Sequence, residues 1–206
     1  YQYNINSQIS DDIDQVNELG KTISELNLQI QKVEAGNIET AMTLRDARDL
    51  ALDELASLVD ISYKEETNGV VRVSVEGNEF INENGYYKVE KQTDKVTGFV
   101  TPYWSHLSDP DKGEYTYLFN FNRDISTENK NDMGEIKALV LARGDKVANY
   151  KDIVGLDGKT YDDTTGMSVM LRAEAQMDQL FHGIATAIND ILCPNTEASN
   201  YITGLT

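Results

Sequence analysis

The chain has 206 residues, room for one good core or two small ones, and its 35 Asp and Glu against 18 Lys and Arg leave a net charge of −17. So acidic a balance, without a basic cluster, argues against nucleic acid and anionic membrane as partners, because Lys and Arg on phosphate supply most of that affinity. No stretch approaches the roughly 18 apolar residues of a membrane span, no secretory signal opens the chain, and a single cysteine, Cys193, forbids an internal disulfide.

Residues 9–33 predict a long helix with a narrow apolar seam. Ile9, Val16, Ile23 and Ile30 share one heptad position and Leu19, Leu26 and Val33 another, over about 37 Å at 1.5 Å per residue. Gly36-Asn37 supplies the expected stop. A second helix is predicted over 40–59, with Leu44, Ala47, Ala51, Leu55 and Leu58 on its apolar face and Asp46, Arg48, Asp49, Asp53 and Glu54 mostly on the solvent side. Without a pocket or ligand spacing, those acids read as a solvated helix face rather than a carboxylate site.

From Ile61 the period alternates. Asn68-Gly69 is a turn signal before Val71, Val73 and Val75, Gly77-Asn78 a second turn before Phe80-Ile81, and further strands are expected over 86–89, 98–104 and 115–121. Their Tyr and Trp residues are read first as core, with an aromatic carbohydrate platform or a protein interface as the other uses. A polar connector follows over 123–132. Helical spacing returns at Ile136, Val140, Val147, Tyr150 and Val154, and glycines at 155, 158 and 166 mark a loop. Asp162-Asp163-Thr164-Thr165 offers caps for a last helix, whose Met170, Met177, Ile184 and Ile191 form one heptad position and Ala173, Leu180 and Ala187 the other. Its length nearly equals that of the first helix, so the two are expected to pair antiparallel.

The expected class is α+β: a long antiparallel, coiled-coil-like helical rod carrying a small β-rich insert. The rod is assigned to 1–60 and 133–193, the insert to 61–132, and 194–206 to the opening of a following segment. With a start at Tyr1 and no initiator Met, the chain is expected to be an excised fragment.

Chemistry is sparse. His106 and His182 lie far apart without a second ligand at zinc spacing, and Cys193 before Pro194 reads as a helix-end residue. Asp109, Asp111, Gly113 and Glu114 sketch a calcium loop, but Pro110 intrudes and the terminal Glu is misplaced. Arg143-Gly144-Asp145 is an adhesion tripeptide set in a helical pattern. Neither a phosphate-binding loop nor a nucleophile elbow is present, so no catalytic residue, cofactor or metal ligand is assigned.

The segment IDQVNELGKTISELNLQI, residues 13–30, resembles the first long helix of the flagellar hook-associated protein 1 family, the hook–filament junction proteins. Val16, Asn17, Leu19, Ile23, Leu26, Asn27, Gln29 and Ile30 fill its repeated apolar-Asn-Leu pattern and its Leu-Asn-x-Gln-Ile close. Leu44, Asp46, Arg48, Asp49, Leu52, Asp53, Glu54 and Leu55 are similar to the helix that follows in the family. Weaker similarity runs through Asn68-Gly69, Val71, Val73, Gly77 and Phe80-Ile81, then Gly134, Glu135, Ile136 and Leu139, and finally Met177-Asp178, Leu180, Ile188 and Asn189. Arg143-Gly144-Asp145 and Cys193 depart from the pattern.

The resemblance implies a structural role. Such proteins are exported unfolded by the flagellar type III apparatus, lie outside the cell, and assemble as a ring of identical subunits contacting the hook and neighbouring hook-associated subunits. Their terminal helices build the tube's inner layer, so a chain lacking them is expected to be monomeric by itself. Flagellin or another hook-associated protein is the neighbouring alternative, against which the Asp46-x-Arg48-Asp49 helix argues. A secreted glycan-binding adhesin on a helical stalk draws support only from the Tyr and Trp residues, and a flagellar muramidase lacks a singled-out carboxylate pair.

Overall fold

The computed structural model describes residues 1–35, 41–121 and 133–192. In chain order it contains α1 (Gln2–Glu34), α2 (Met42–Leu58), β1 (Ile61–Glu65), β2 (Val71–Val75), β3 (Asn78–Asn82), β4 (Gly85–Tyr86), β5 (Val89–Thr93), β6 (Val100–Trp104), α3 (Glu135–Arg143), α4 (Gly158–Asp163) and α5 (Val169–Leu192), with 3₁₀ turns at Ser105–Leu107, Tyr150–Asp152 and Thr165–Met167. This is an α+β protein. It divides into two compact units, Tyr3–Val140 and Tyr1–Gln2 with Leu141–Thr206. The expected helical stop at Gly36-Asn37, the connector over 123–132, Cys193 and the tail over 194–206 lie outside the described residues.

In the larger unit, β1 to β4 form an antiparallel meander and β5 and β6 a separate antiparallel pair. Val71, Val73 and Val75 alternate along β2 and all face inward, as period-two spacing requires. The β2–β3 turn is Glu76-Gly77, one residue earlier than the sequence placed it, because both residues have positive φ (50° and 82°), the conformation of a two-residue hairpin loop. Between Val73↔Ile81 and Ser74↔Glu79 the register shifts by one, so Phe80 is an extra residue in β3. That bulge turns consecutive side chains, Phe80 and Ile81, into the core.

The core joins Ile9, Ile13, Val16, Leu19 and Ile23 of α1 to Leu52, Leu55 and Leu58 of α2, the inward faces of β2 and β3, Trp104, Leu118, Phe119 and Ile136. Boundaries at 60 and 133 therefore do not separate helices from strands. The apolar faces of α1 and α2 are themselves the surface on which the sheets pack. A methyl group at Gly20 would lie 2.4 Å from Cζ of Phe80, so the missing side chain is the notch that admits the bulged ring. At Gly134, φ +98°, a methyl group would lie 2.8 Å from the Val59 backbone and 2.9 Å from the Leu58 carbonyl, and this glycine opens α3.

In the smaller unit, helical structure ends at Arg143 rather than running on to Val154, and Gly144 follows with φ +78°. Val147 and Val154 are exposed. The cap of α5 is Ser168, not the run 162–165: its Oγ accepts from the Leu171 backbone N–H at 3.3 Å and donates to the Ala142 carbonyl at 2.7 Å. Leu171 and Ala175 make a small core with Ala148 and Ile153.

Candidate functional site

Three asparagines of α1, about three turns apart, hold strand backbone. Asn6 Oδ1 accepts from the Val100 N–H at 2.7 Å and its amide donates to the Gly98 carbonyl at 3.3 Å. Asn17 does the same for both polar groups of Val89, each at 2.9 Å, while also donating to its own helix at Ile13 O. Asn27 binds the Val71 carbonyl at 2.9 Å and the Val71 N–H at 3.0 Å. Each carboxamide thus acts as a short piece of ladder, and those of Asn17 and Asn27 satisfy a donor and an acceptor that burial would otherwise leave costly. Lys91 adds contacts to Ser10 and, at 2.7 Å, to Asp14.

Arg48 completes the array from α2. The sequence put it on the solvent side, yet it is 2% exposed, with Nη1 donating to Asn27 Oδ1 at 3.1 Å and to the Gly69 carbonyl at 2.7 Å. The apolar face of α2 runs accordingly through Arg48, Ala51, Leu52, Leu55 and Leu58, and Ala47 is exposed. Arg45, one turn earlier, grips Glu34 through two bonds of 2.7 and 2.9 Å and reaches Glu65. Hydrogen bonds from the Arg45 side chain and the Ala41 N–H pull the Glu34 carboxyl down to about 2. Asp46 and Asp49 are exposed, as is Gln29, and none of the three enters the array.

Of the seam residues, Ile9, Val16, Leu19, Ile23 and Ile30 are buried and Leu26 is half-buried. Those of α5 are not: Met177, Leu180, Ile184 and Ile191 are 60, 62, 49 and 76% exposed. Within its own unit Ile23 is covered by the α2 and strand core, and Ile184 is half exposed. The side of α5 that is engaged carries polar anchors. Glu174 accepts from the Ala148 N–H, Asp178 accepts from the Tyr150 N–H, and His182 stacks on Tyr150 at 4.0 Å.

Other sequence candidates resolve as structure. His106 stacks on Tyr87 at 3.9 Å, and partial burial lowers its pKa. Asp109 pairs with Lys112 in a surface turn. Arg143 is buried, so Arg143-Gly144-Asp145 does not present an adhesive tripeptide, and burial pulls the guanidinium down to about 10. Among the described residues no three Asp, Glu, His or Cys side chains gather as a metal site, and no helix is long and apolar enough to cross a membrane.

These buried contacts pack strand backbone onto a helix, the work of a packing module. Residues 1–198 match the family described as flagellar hook-associated protein FlgK helical domain, and the chain belongs to that family. Among solved structures it is similar to the flagellar hook junction protein FlgK from Burkholderia pseudomallei, at 26% identity over 57% of this chain, with a TM-score of 0.45. The alignment covers 21% of the length of that chain. No curated protein sequence matches.

Proposed function

We propose that the chain is the helical-domain part of a subunit that joins flagellar hook to filament, assembled as a ring of identical copies outside the cell after type III export. Membership of the helical-domain family over residues 1–198 is the observation that carries this reading. In it the chain works by shape and contact, without catalysis or cofactor. Asn17, Asn27 and Arg48 fix the sheets on α1, and the exposed Met177, Leu180, Ile184 and Ile191 offer α5 as a contact face toward neighbouring subunits or the hook. Such a face fits an assembly element, because an apolar helical stripe gains by being covered.

Deleting the gene in its source bacterium tests the proposal. Electron microscopy should find hooks without filaments and flagellin released into the medium, both reversed by the intact gene. Filaments of normal length on the deletion strain would overturn it.

A further inference from the structure

We propose that the outer face of the β5–β6 pair is a binding platform for a neutral oligosaccharide. In an antiparallel pair, directly opposed residues project to the same side, and Glu90↔Tyr103↔Tyr117 are opposed across three adjacent segments. Val89, Val100 and Trp104 point the other way, into the core. The aromatic residues of this region therefore sort into two sets. Trp104, Phe80 and Phe119 are buried, while Tyr115 and Tyr117 remain on the outer face, with Tyr117 43% exposed.

The exposed Tyr117 and half-buried Tyr115 are held in place, Tyr115 against the buried Tyr103. Tyr103 donates its hydroxyl to Glu90 at 2.8 Å and packs edge-on against Tyr115 at 5.0 Å, and Tyr117 donates to Gln92 Oε1 at 2.7 Å. The Tyr115 and Tyr117 rings are 14° from parallel with centroids 5.9 Å apart. That is an offset-stacked spacing, and Tyr117 keeps 43% of its surface open. Since the Tyr117 hydroxyl is committed to Gln92, what that ring offers a ligand is its face, the element that stacks on the C–H side of a pyranose. A half-open cleft of about 440 Å³, within the size of small-ligand sites, is lined by Tyr103 and Tyr115, and Gln92, Thr93, Asp94 and Lys95 bring it hydrogen-bonding groups for sugar hydroxyls.

Charge selects the ligand. The rim mixes Asp94 with Lys91 and Lys95, so it is not an anion site, and a molecule of net charge −17 repels polyanionic glycans. A proline-rich peptide also seeks aromatic ridges, but the cleft wall supplies polar groups rather than apolar side pockets.

Saturation-transfer NMR on the 206-residue chain with neutral hexasaccharides of N-acetylglucosamine, glucose and galactose at millimolar concentration tests this. At least one should bind with its ring C–H protons saturated; Tyr117→Ala should weaken it about tenfold, while Tyr117→Phe, which keeps the ring face, stays close to the parent. Unchanged circular dichroism and Trp104 fluorescence would show that both variants fold. Failure of all three sugars to bind, undiminished binding by Tyr117→Ala, or binding by heparin or a proline-rich peptide in place of the sugars would overturn the proposal. The deletion phenotype is independent of this result.

Discussion

A buried carboxamide must satisfy both its oxygen and its amino group, and Asn27 does so by taking Val71 N–H and Arg48 Nη1 on its oxygen and giving to the Val71 carbonyl. Asn27→Ala leaves Val71 with a buried donor and acceptor lacking that partner and should cost about 2–4 kcal/mol, read as a lower urea midpoint at unchanged slope. Exposed Asp49→Ala should fall within about 0.5 kcal/mol. Periodicity exposed the apolar partners of these residues but not Arg48. A guanidinium in a helical pattern reads as solvent-facing, and its burial is decided by a carbonyl and a carboxamide each 21 positions away. Asn17 and Asn27 stood out only through the family pattern, since a polar residue beside a seam carries no local sign of its backbone partner. Glu34 adds a pH signature. Its folded pKa is depressed to about 2 from 4.5, so its stabilising share is full above about 4.5 and is lost as pH falls toward 2. Stability measured by urea titration should decline across that window, with a shallower decline in Glu34→Gln.

Among elements, α1 and α5 have the same heptad signature and different fates. Ile23 is fully buried, so Ile23→Ala should cost roughly 2–5 kcal/mol, whereas Ile184, half exposed, should lose less than about 1 kcal/mol on the same change. Thermal unfolding of the two variants separates them. A heptad stripe states that a helix has an apolar side; it does not state whether helix or sheet covers it, and for α1 the cover is the α2 and strand core. Gly20 sets two effects against each other: Gly20→Ala gains about 1 kcal/mol of helix propensity, but the added methyl meets a ring with no exposed surface, held between Tyr86 and Trp104. Overpacking of that kind costs about 1–3 kcal/mol, and net destabilisation is the expected outcome in a denaturant titration. Chain order and hairpin turns were readable because glycine and alternation act locally. The β3 bulge was not, since consecutive Phe80 and Ile81 look like an ordinary apolar run until their register is known.

For the whole molecule, the α+β class followed from a switch of period at Ile61, but the partition did not, because which core a helix joins depends on contacts distant in sequence. The expectation of a monomer rested partly on two seams satisfying each other, yet the α1 seam is already filled by the α2 and strand core of its own unit. What remains is repulsion between copies carrying −17 each, and salt weakens it as the Debye length falls from about 30 Å at 0.01 M to about 3 Å at 1 M. Sedimentation should therefore show a monomer at low salt and concentration-dependent association at high salt. Ile184→Asp, which puts charge on the α5 stripe, should suppress that association, and a variant that still associates would place the contact elsewhere.

The three asparagine anchors also have a mechanical consequence. Asn6, Asn17 and Asn27 lie about 15 Å apart along one helix axis, each gripping a different stretch of strand backbone. A pull along α1 loads the three grips together in shear, whereas grips at one end would peel in sequence, so the rupture force is shared. In the proposed seat between hook and filament, a subunit would feel such axial and torsional load. Single-molecule stretching between the ends of α1 should accordingly show one high-force event in the parent and lower force in Asn17→Ala, which opens the middle grip.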